Sequence, residues 1–422
     1  MNVYKAIVKS SIKRKFNMIR GFEGIDELQN IIDKSGVYPD MHIYEGSGVD
    51  PIDSENGKEL LFFSSNNYLG LSKNPDIIDA TIKSIRQHGI GPGGSRLLSG
   101  NIKILTELDG KVAELVGKED AITFPTGYMA NLAIFRALFN EFMFGLPAKC
   151  DDSIIFSDEY NHSTVVDGIR LSRVRVEVFK HNDMNHLEEL IKENKKYKHK
   201  LIVTEGAFSL EGHTAPLDKV VDIAENYGCQ TMIDDAHGIG VLGECGGGVV
   251  EDYGVADRID IIMGSFDKAL GGMGGFLAGN AQLIKFLRVA ARPYVFSSSI
   301  PAMMAGGIIK AIDICRNDDK HKKQLFENAN YLRERLRQIG FNVLGDGTFP
   351  VIPVLIGNDK ISIEMERKLY EKGVSVANFR WPAVKKNTAR FRITPMATHT
   401  KDQIDQLITV FEQTGKELKI IN

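Results

Sequence analysis

Cysteine is scarce in this chain: four in 422 residues, Cys150, Cys229, Cys245 and Cys315, with no C-x-x-C pair. That spacing excludes a disulfide framework and a structural zinc site, and it makes a reducing cytoplasm the expected compartment. Excess charge of either sign is lacking too. Fifty-two basic against 55 acidic residues leave a net charge of −3, so no nucleic-acid partner is expected. No apolar run approaches the roughly 20 residues that a membrane-spanning helix needs. Residues 1–20 are basic and broken by polar side chains, without the apolar core and cleavage site of a signal peptide. They read as a solvated helix, with a peripheral helix on a membrane surface as the sharper alternative.

What the chain does have is 43% apolar residues over a length that suits more than one packed layer. Short β-branched runs alternate with amphipathic stretches through its middle. Strands are predicted at Ala121–Phe124, Ser153–Phe156, Val174–Phe179, Leu201–Thr204, Thr231–Ile233, Ile259–Met263 and Gly275–Ala278. Helices such as His186–Lys195 and Leu217–Tyr227 fall between them. Such alternation predicts an α/β domain with a mainly parallel, seven-stranded sheet, whose ligands sit in loops at the carboxyl ends of strands. An arm at 1–60 precedes this large domain at 61–300. A long helical stretch, Met303–Ile339, and strands near Val351–Leu355 and Ala389–Ile393 predict a smaller C-terminal α+β domain at 301–422.

Five loops after those strands carry chemistry. In Gly264-Ser265-Phe266-Asp267-Lys268-Ala269, a lysine follows a strand among small residues. An amine there, partly desolvated, suits a Schiff base with a flat ring; a surface lysine is the bland alternative. Asp234-Asp235-Ala236-His237-Gly238 ends another strand with two carboxylates and an imidazole. A carboxylate against a pyridine nitrogen keeps such a ring protonated, as an electron sink must be, whereas the alternative is a capped turn. Pro125-Thr126-Gly127-Tyr128 opens a helix, and free N–H groups there favour a phosphate dianion. His162 follows the next strand, where it can stack on a ring, and Ser209 offers a hydroxyl nearby. Near the C-terminus, Arg390 and Arg392 share one face of a half-buried strand, from which one can grip a carboxylate; two solvated arginines are as plausible.

Two glycine motifs compete. Gly238-Ile239-Gly240-Val241-Leu242-Gly243 matches the dinucleotide fingerprint, but the glycines at 246–248 oppose the helix that the fingerprint requires. Gly91-Pro92-Gly93-Gly94-Ser95-Arg96 lacks the ending of a phosphate-binding P-loop and reads as a tight loop near the site.

Taken together, these segments resemble the α-oxoamine synthases, a family of fold-type I enzymes dependent on pyridoxal 5'-phosphate (PLP). The likeness runs from Ser65-Asn66-Asn67-Tyr68-Leu69-Gly70 to Thr394-Pro395-Met396-Ala397-Thr398-His399. It implies that Lys268 forms the Schiff base and acts as general base. Asp234 would pair with the pyridinium, His237 and Ser209 would address the phenolic oxygen, and His162 would stack on the ring. Gly127, Tyr128 and Ser265 would hold the phosphate, helped by Ser298 from a second subunit of a homodimer. Asn66 and Arg392 would hold the substrate. One position departs from the pattern: Asp267 stands where a small or uncharged residue is usual, and a carboxylate beside the amine favours its charged form.

The implied reaction is a decarboxylative condensation of an amino acid with an acyl thioester, giving an α-amino ketone, CO2 and a free thiol. The thioester is carried by coenzyme A or an acyl-carrier protein. Arg292–Ser299 is similar to members that join serine to a long acyl chain, and serine or alanine with such a chain is the leading expectation. The Gly-rich and Asp-Asp-Ala-His-Gly loops look equally like members that join alanine to a pimeloyl thioester, and glycine users come third. A transaminase and a catalytically silent subunit are the readings from other classes; a silent subunit is expected to lack the lysine that this chain has.

Overall fold

The computed structural model describes residues 41–139 and 151–422, except 47 and 56, together with residues 25, 29 and 30. The basic N-terminal stretch and Cys150 lie outside the described residues. The chain forms two compact units, residues 1–46 with 51–59, and residues 47–50 with 60–422. In the first, the short strands Tyr44–Glu45 and Ile52–Asp53 pair antiparallel.

The second unit is built on a seven-stranded sheet of β1 (Asp120–Phe124), β2 (Ser153–Asp158), β3 (Arg175–Phe179), β4 (His199–Glu205), β5 (Gln230–Asp234), β6 (Ile261–Ser265) and β7 (Gly275–Gly279). Each falls on a run that the sequence predicts. Their spatial order is β1-β7-β6-β5-β4-β2-β3, with β7 antiparallel to both neighbours and the β6-to-β3 neighbours parallel. All six residues of β2, SIIFSD, are buried, as expected for a strand with both sheet faces covered.

Helices cover those faces. On one side lie α1 (Pro75–His88), α2 (Lys103–Leu115) and, from later in the chain, α8 (Ala302–Asn317). On the other are α3 (Gly127–Phe139), α4 (Ser163–Ser172) and α7 (Ala281–Ala290). Two further helices, α5 (Met184–Glu193) and α6 (Leu217–Tyr227), pack on the β2–β4 end. Helix α5 starts where the Asp183 side chain accepts from the His186 amide at 3.0 Å, and α6 ends at Gly228 in the left-handed region.

The sequence reads Met303–Ile339 as one helical stretch. The structure breaks it at Asp318, whose extended backbone separates α8 from α9 (Lys320–Gln338). Two helices with different tasks result. Ala305, Ile308, Ala311 and Ile312 of α8 join the core of the large sheet, whereas Ala329, Leu332 and Leu336 of α9 join that of the C-terminal sheet. Helix α8 packs closely on α1, and a Cβ on Gly306 would stand 2.7 Å from the Ser84 Cβ.

The C-terminal sheet is antiparallel, in the order β8 (Asn342–Val343), β9 (Ile352–Gly357), β11 (Ala389–Ile393), β10 (Ala377–Phe379). Helices α9, α10 (Asp359–Glu371) and α11 (Lys401–Glu417) close its core around Val354, Phe391, Met365 and Phe411. The segment before α1 is tied to this sheet. Thr394 donates its amide to the Phe63 carbonyl at 2.8 Å, and Ala397 to the Tyr68 carbonyl at 2.7 Å. Those bonds hold Asn66 and Tyr68 above the edge of the large sheet. Among the described residues, no helix is long and apolar enough to cross a membrane.

Candidate active site

The parallel strands end on one edge of the sheet, and their following loops converge there. Beyond β1 comes Gly127, beyond β2 His162, beyond β4 Ser209, beyond β5 His237 and beyond β6 Lys268. These residues line one cavity of about 750 Å3, together with Asn66, Tyr128, Asp234, Ser265 and Arg392. Arg392 arrives from β11 of the C-terminal sheet, so both sheets contribute to the walls. Ser298 does not line this cavity and is exposed.

Asp234 ends β5 with its carboxylate almost wholly buried. Its Oδ1 accepts from the Ala236 amide at 3.2 Å and its Oδ2 from the Asn131 amide nitrogen at 2.8 Å. The same nitrogen of Asn131 donates to the Thr164 hydroxyl at 2.9 Å, and that hydroxyl lies 2.9 Å from Nδ1 of His162. A polar chain thus joins the residue after β2 to the carboxylate at the end of β5, through a helix between them. Burial pushes the His162 imidazole below its ordinary range, with Asp234 opposing and Lys268 adding to the shift.

The second carboxylate of the Asp234-Asp235 pair turns into the wall. Asp235 is fully buried and accepts from the Val249 amide at 2.7 Å. A Cβ on Gly238 would fall 2.1 Å from its Oδ1, so that glycine makes room for this carboxylate. No helix follows the Gly238–Gly243 turn until the four residues Val249–Asp252, and the dinucleotide reading fails for want of one.

His237 meets the Tyr68 phenol at 2.7 Å through Nδ1. Burial, with Lys268 and Arg392 close by, pushes this imidazole well below its ordinary range. Burial likewise raises Tyr68, so its hydroxyl keeps a proton to give. Where the phenol donates, the neutral ring accepts at Nδ1 and carries its own proton on Nε2; in the other tautomer Nδ1–H donates to the phenol oxygen. Glu205, at the end of β4, pairs in register with Asp234. Burial and the Asp234 charge hold its carboxyl well above the usual carboxylate range.

Lys268 is largely buried, with its Nζ 3.9 Å from Oδ1 of the exposed Asp267. Ser265 donates its hydroxyl to that same carboxylate oxygen. The two arginines of β11 part company. Arg390 donates to the Leu210 carbonyl at 3.1 Å and to Glu211 at 3.4 Å, while Arg392 stacks 5.1 Å from the Phe379 ring centroid and faces the cavity.

Arg96 turns away from the cavity. Its guanidinium is 2.8 Å from Asp109 in a buried pair that Thr123 joins, and none of residues 91–96 lines the cavity. Asn131, Tyr68, Thr164 and Glu205 are the site residues to which the sequence reading assigned no task. The one available signal was Asn131, a lone amide in the apolar run of α3.

A cavity with an amine, a buried carboxylate and a guanidinium at the ends of α/β strands defines a transferase of the PLP-dependent fold-type I class. The chain belongs to the aminotransferase class I and II family, whose pattern it matches over residues 58–411. Within that class it is an α-oxoamine synthase, an enzyme that uses PLP. It is 39% identical over 404 residues to the 8-amino-7-oxononanoate synthase of Thermoanaerobacter pseudethanolicus, covering 96% of this chain and 99% of that one. A second relative of that name, from Alkaliphilus metalliredigens, is 39% identical over 403 residues, 94% of this chain and 97% of that one. Among solved structures, a serine palmitoyltransferase variant from S. paucimobilis with bound PLP and myriocin has a TM-score of 0.87 at 27% identity, covering 98% of this chain and all of that one.

The residues present fit the cofactor. Oδ1 of Asn66, Oδ1 of Asn131 and Nε of Arg392 are buried in residues that line the cavity and have no hydrogen-bond partner among the described residues. Buried polar atoms are nearly always paired, so these walls are built for a polar occupant. The side chains around them match a charged heteroaromatic with an anionic arm: Asp234 for a protonated ring nitrogen, and hydroxyls at Thr126 and Ser265 beside the start of α3 for a phosphate.

Proposed function

We propose that this enzyme joins alanine to a pimeloyl thioester, releasing CO2 and a thiol and giving 8-amino-7-oxononanoate. The observation that carries the chemistry is the single cavity faced by Lys268, Asp234 and Arg392. For the choice of substrates, sequence likeness outweighs likeness of fold. The 39%-identical relatives bear the 8-amino-7-oxononanoate synthase name, while the serine palmitoyltransferase stands at 27%. This reading replaces serine with a long acyl chain as the leading pair.

The bound cofactor supplies an electrophilic aldehyde and a ring that, when protonated, draws electron density from the substrate's α-carbon. Lys268 would be its covalent anchor and would serve as the base for the amino acid's α-proton. Asp234, held by Asn131, keeps the ring nitrogen charged. His237 and Ser209 would address its phenolic oxygen, and His162 would lie against its ring. Gly127, Tyr128 and Ser265 hold the phosphate, with the partner subunit's Ser298 completing the grip in a homodimer. The exposure of Ser298 away from its own cavity supports that last role. Arg392 grips the amino acid's carboxylate and Asn66 its neighbouring polar atoms. The large domain at 61–300 supplies the anchor and ring contacts, and the C-terminal domain at 301–422 brings Arg392.

Thiol release measured with glycine, alanine and serine, each against pimeloyl and palmitoyl thioesters of coenzyme A and of acyl-carrier protein, tests this reading. Alanine with a pimeloyl thioester should exceed serine with palmitoyl by about 100-fold in kcat/KM. A preference for serine and palmitoyl would reverse the substrate assignment, and no thiol release from any pair would remove the condensation itself.

A further inference from the structure

Around the end of β6 and the start of α3, the polar side chains that face the cavity are Thr126, Tyr128, Ser265, Asp267 and Lys268. One of them is an anion, in the place proposed for a dianionic phosphate. The Asp267 side chain is 54% exposed, so packing does not demand a carboxylate there. It engages two groups of the site: its Oδ1 lies 3.9 Å from Nζ of Lys268 and accepts the hydroxyl of Ser265.

We infer that Asp267 weakens this enzyme's hold on the phosphate of its cofactor, so that loading follows the free cofactor concentration. The inference rests on the proposed placement of the phosphate at Gly127, Tyr128 and Ser265. Two effects act in the same direction. An ionised carboxylate repels the dianion. It also accepts hydrogen bonds without donating any, while Ser265 has one hydroxyl proton to give. Ser265 therefore gives that proton to Asp267, or to the Gly274 carbonyl at 3.2 Å, at the expense of a bound phosphate. A neutral side chain at 267 removes the repulsion and competes less strongly for the hydroxyl than a carboxylate does.

The test is equilibrium binding to the full-length protein, stripped of cofactor, for wild type, Asp267→Asn and Asp267→Ser. PLP is titrated by absorbance, and pyridoxal, which lacks the phosphate, is titrated in parallel. Both variants should bind PLP about tenfold more tightly at low ionic strength, allowing for the solvent screening of an exposed carboxylate. The gain should shrink at about 1 M salt, where charges are screened within roughly 3 Å. Pyridoxal affinity should stay within about twofold, because the charge that Asp267 opposes is missing. PLP affinities equal to wild type in both variants would overturn the inference, and so would equal tightening for PLP and pyridoxal. If no form of the protein, wild type included, bound PLP, the functional reading would fall with it. That outcome is distinct, since the first two failures leave PLP binding intact.

Discussion

The Tyr68 phenol and Nδ1 of His237 lie 2.7 Å apart, although 169 residues separate them in the chain. Tyr68 hangs from the segment bonded to the C-terminal sheet, and His237 follows β5 of the large sheet. One hydrogen bond therefore holds a cavity imidazole in place and links the two sheets across the site.

Removing that hydroxyl should leave a folded enzyme with a less firmly held imidazole. In Tyr68→Phe, the ring keeps its edge contact with Phe349, 5.8 Å away between centroids. We expect kcat/KM to fall about 3- to 10-fold, the size of one lost neutral hydrogen bond. An unchanged kcat/KM would deny this bond a part in placing His237.

Lys268→Ala should abolish turnover, by more than about a thousandfold, and leave the fold intact, because the side chain faces the cavity and supports no core packing. Borohydride treatment followed by peptide mass analysis should find a phosphopyridoxyl group on Lys268 in wild type. The variant should carry no adduct at this position. Retained activity in the variant would overturn the assignment.

Asn131 offers a test of how Asp234 is held. Asn131→Ala removes the donor to the Asp234 carboxylate and to the Thr164 hydroxyl, so chemical unfolding should show a loss of about 1–3 kcal/mol. PLP affinity should fall several-fold as well. Thr164→Val breaks only the far end of the chain and should cost less on both counts. Equal effects from the two would place the strain in packing and not in the carboxylate's partner.

The strands were legible because a parallel sheet covered on both faces demands β-branched runs, and Ile154–Phe156 or Thr231–Ile233 cannot be much else. The strand ends then pointed to Lys268, Asp234, His237 and His162 by position alone. What the sequence hid was long-range. Nothing local says that Tyr68 reaches His237, or that Arg96 leaves its glycine loop for Asp109. Asp234 and Asp235 are chemically identical neighbours. Only the strand's alternation, which sends one to the cavity and one into the wall, separates them. The break at Asp318 was invisible for a related reason: apolar periodicity continues on both sides, while the cores being filled are different.

His399 makes the stability of the fold sensitive to acid. Its Nδ1 accepts the Met396 amide at 2.8 Å, its Nε2 lies 3.2 Å from the Phe62 carbonyl, and the ring stacks 3.9 Å from that of Phe63. Burial pushes the imidazole from its ordinary value down to about 3, with the Phe62 carbonyl opposing. An unfolded chain protonates this histidine near pH 6.5, whereas the folded protein holds it neutral until about pH 3. Between those values the unfolded state binds the extra proton. Stability is thus complete above about pH 6.5 and falls as the pH drops toward 3, with a slope of at most about 1.4 kcal/mol per pH unit for one proton. His399→Gln should be less stable at neutral pH, because the stacked ring and part of its bonding are gone. Its stability should nevertheless decline less steeply below pH 6.5 than that of wild type. Denaturant unfolding at pH 7.5, 6 and 5 measures both slopes. Parallel slopes would mean that the imidazole titrates alike in the folded and unfolded chains, and that its burial between Phe62 and Met396 has no bearing on acid stability.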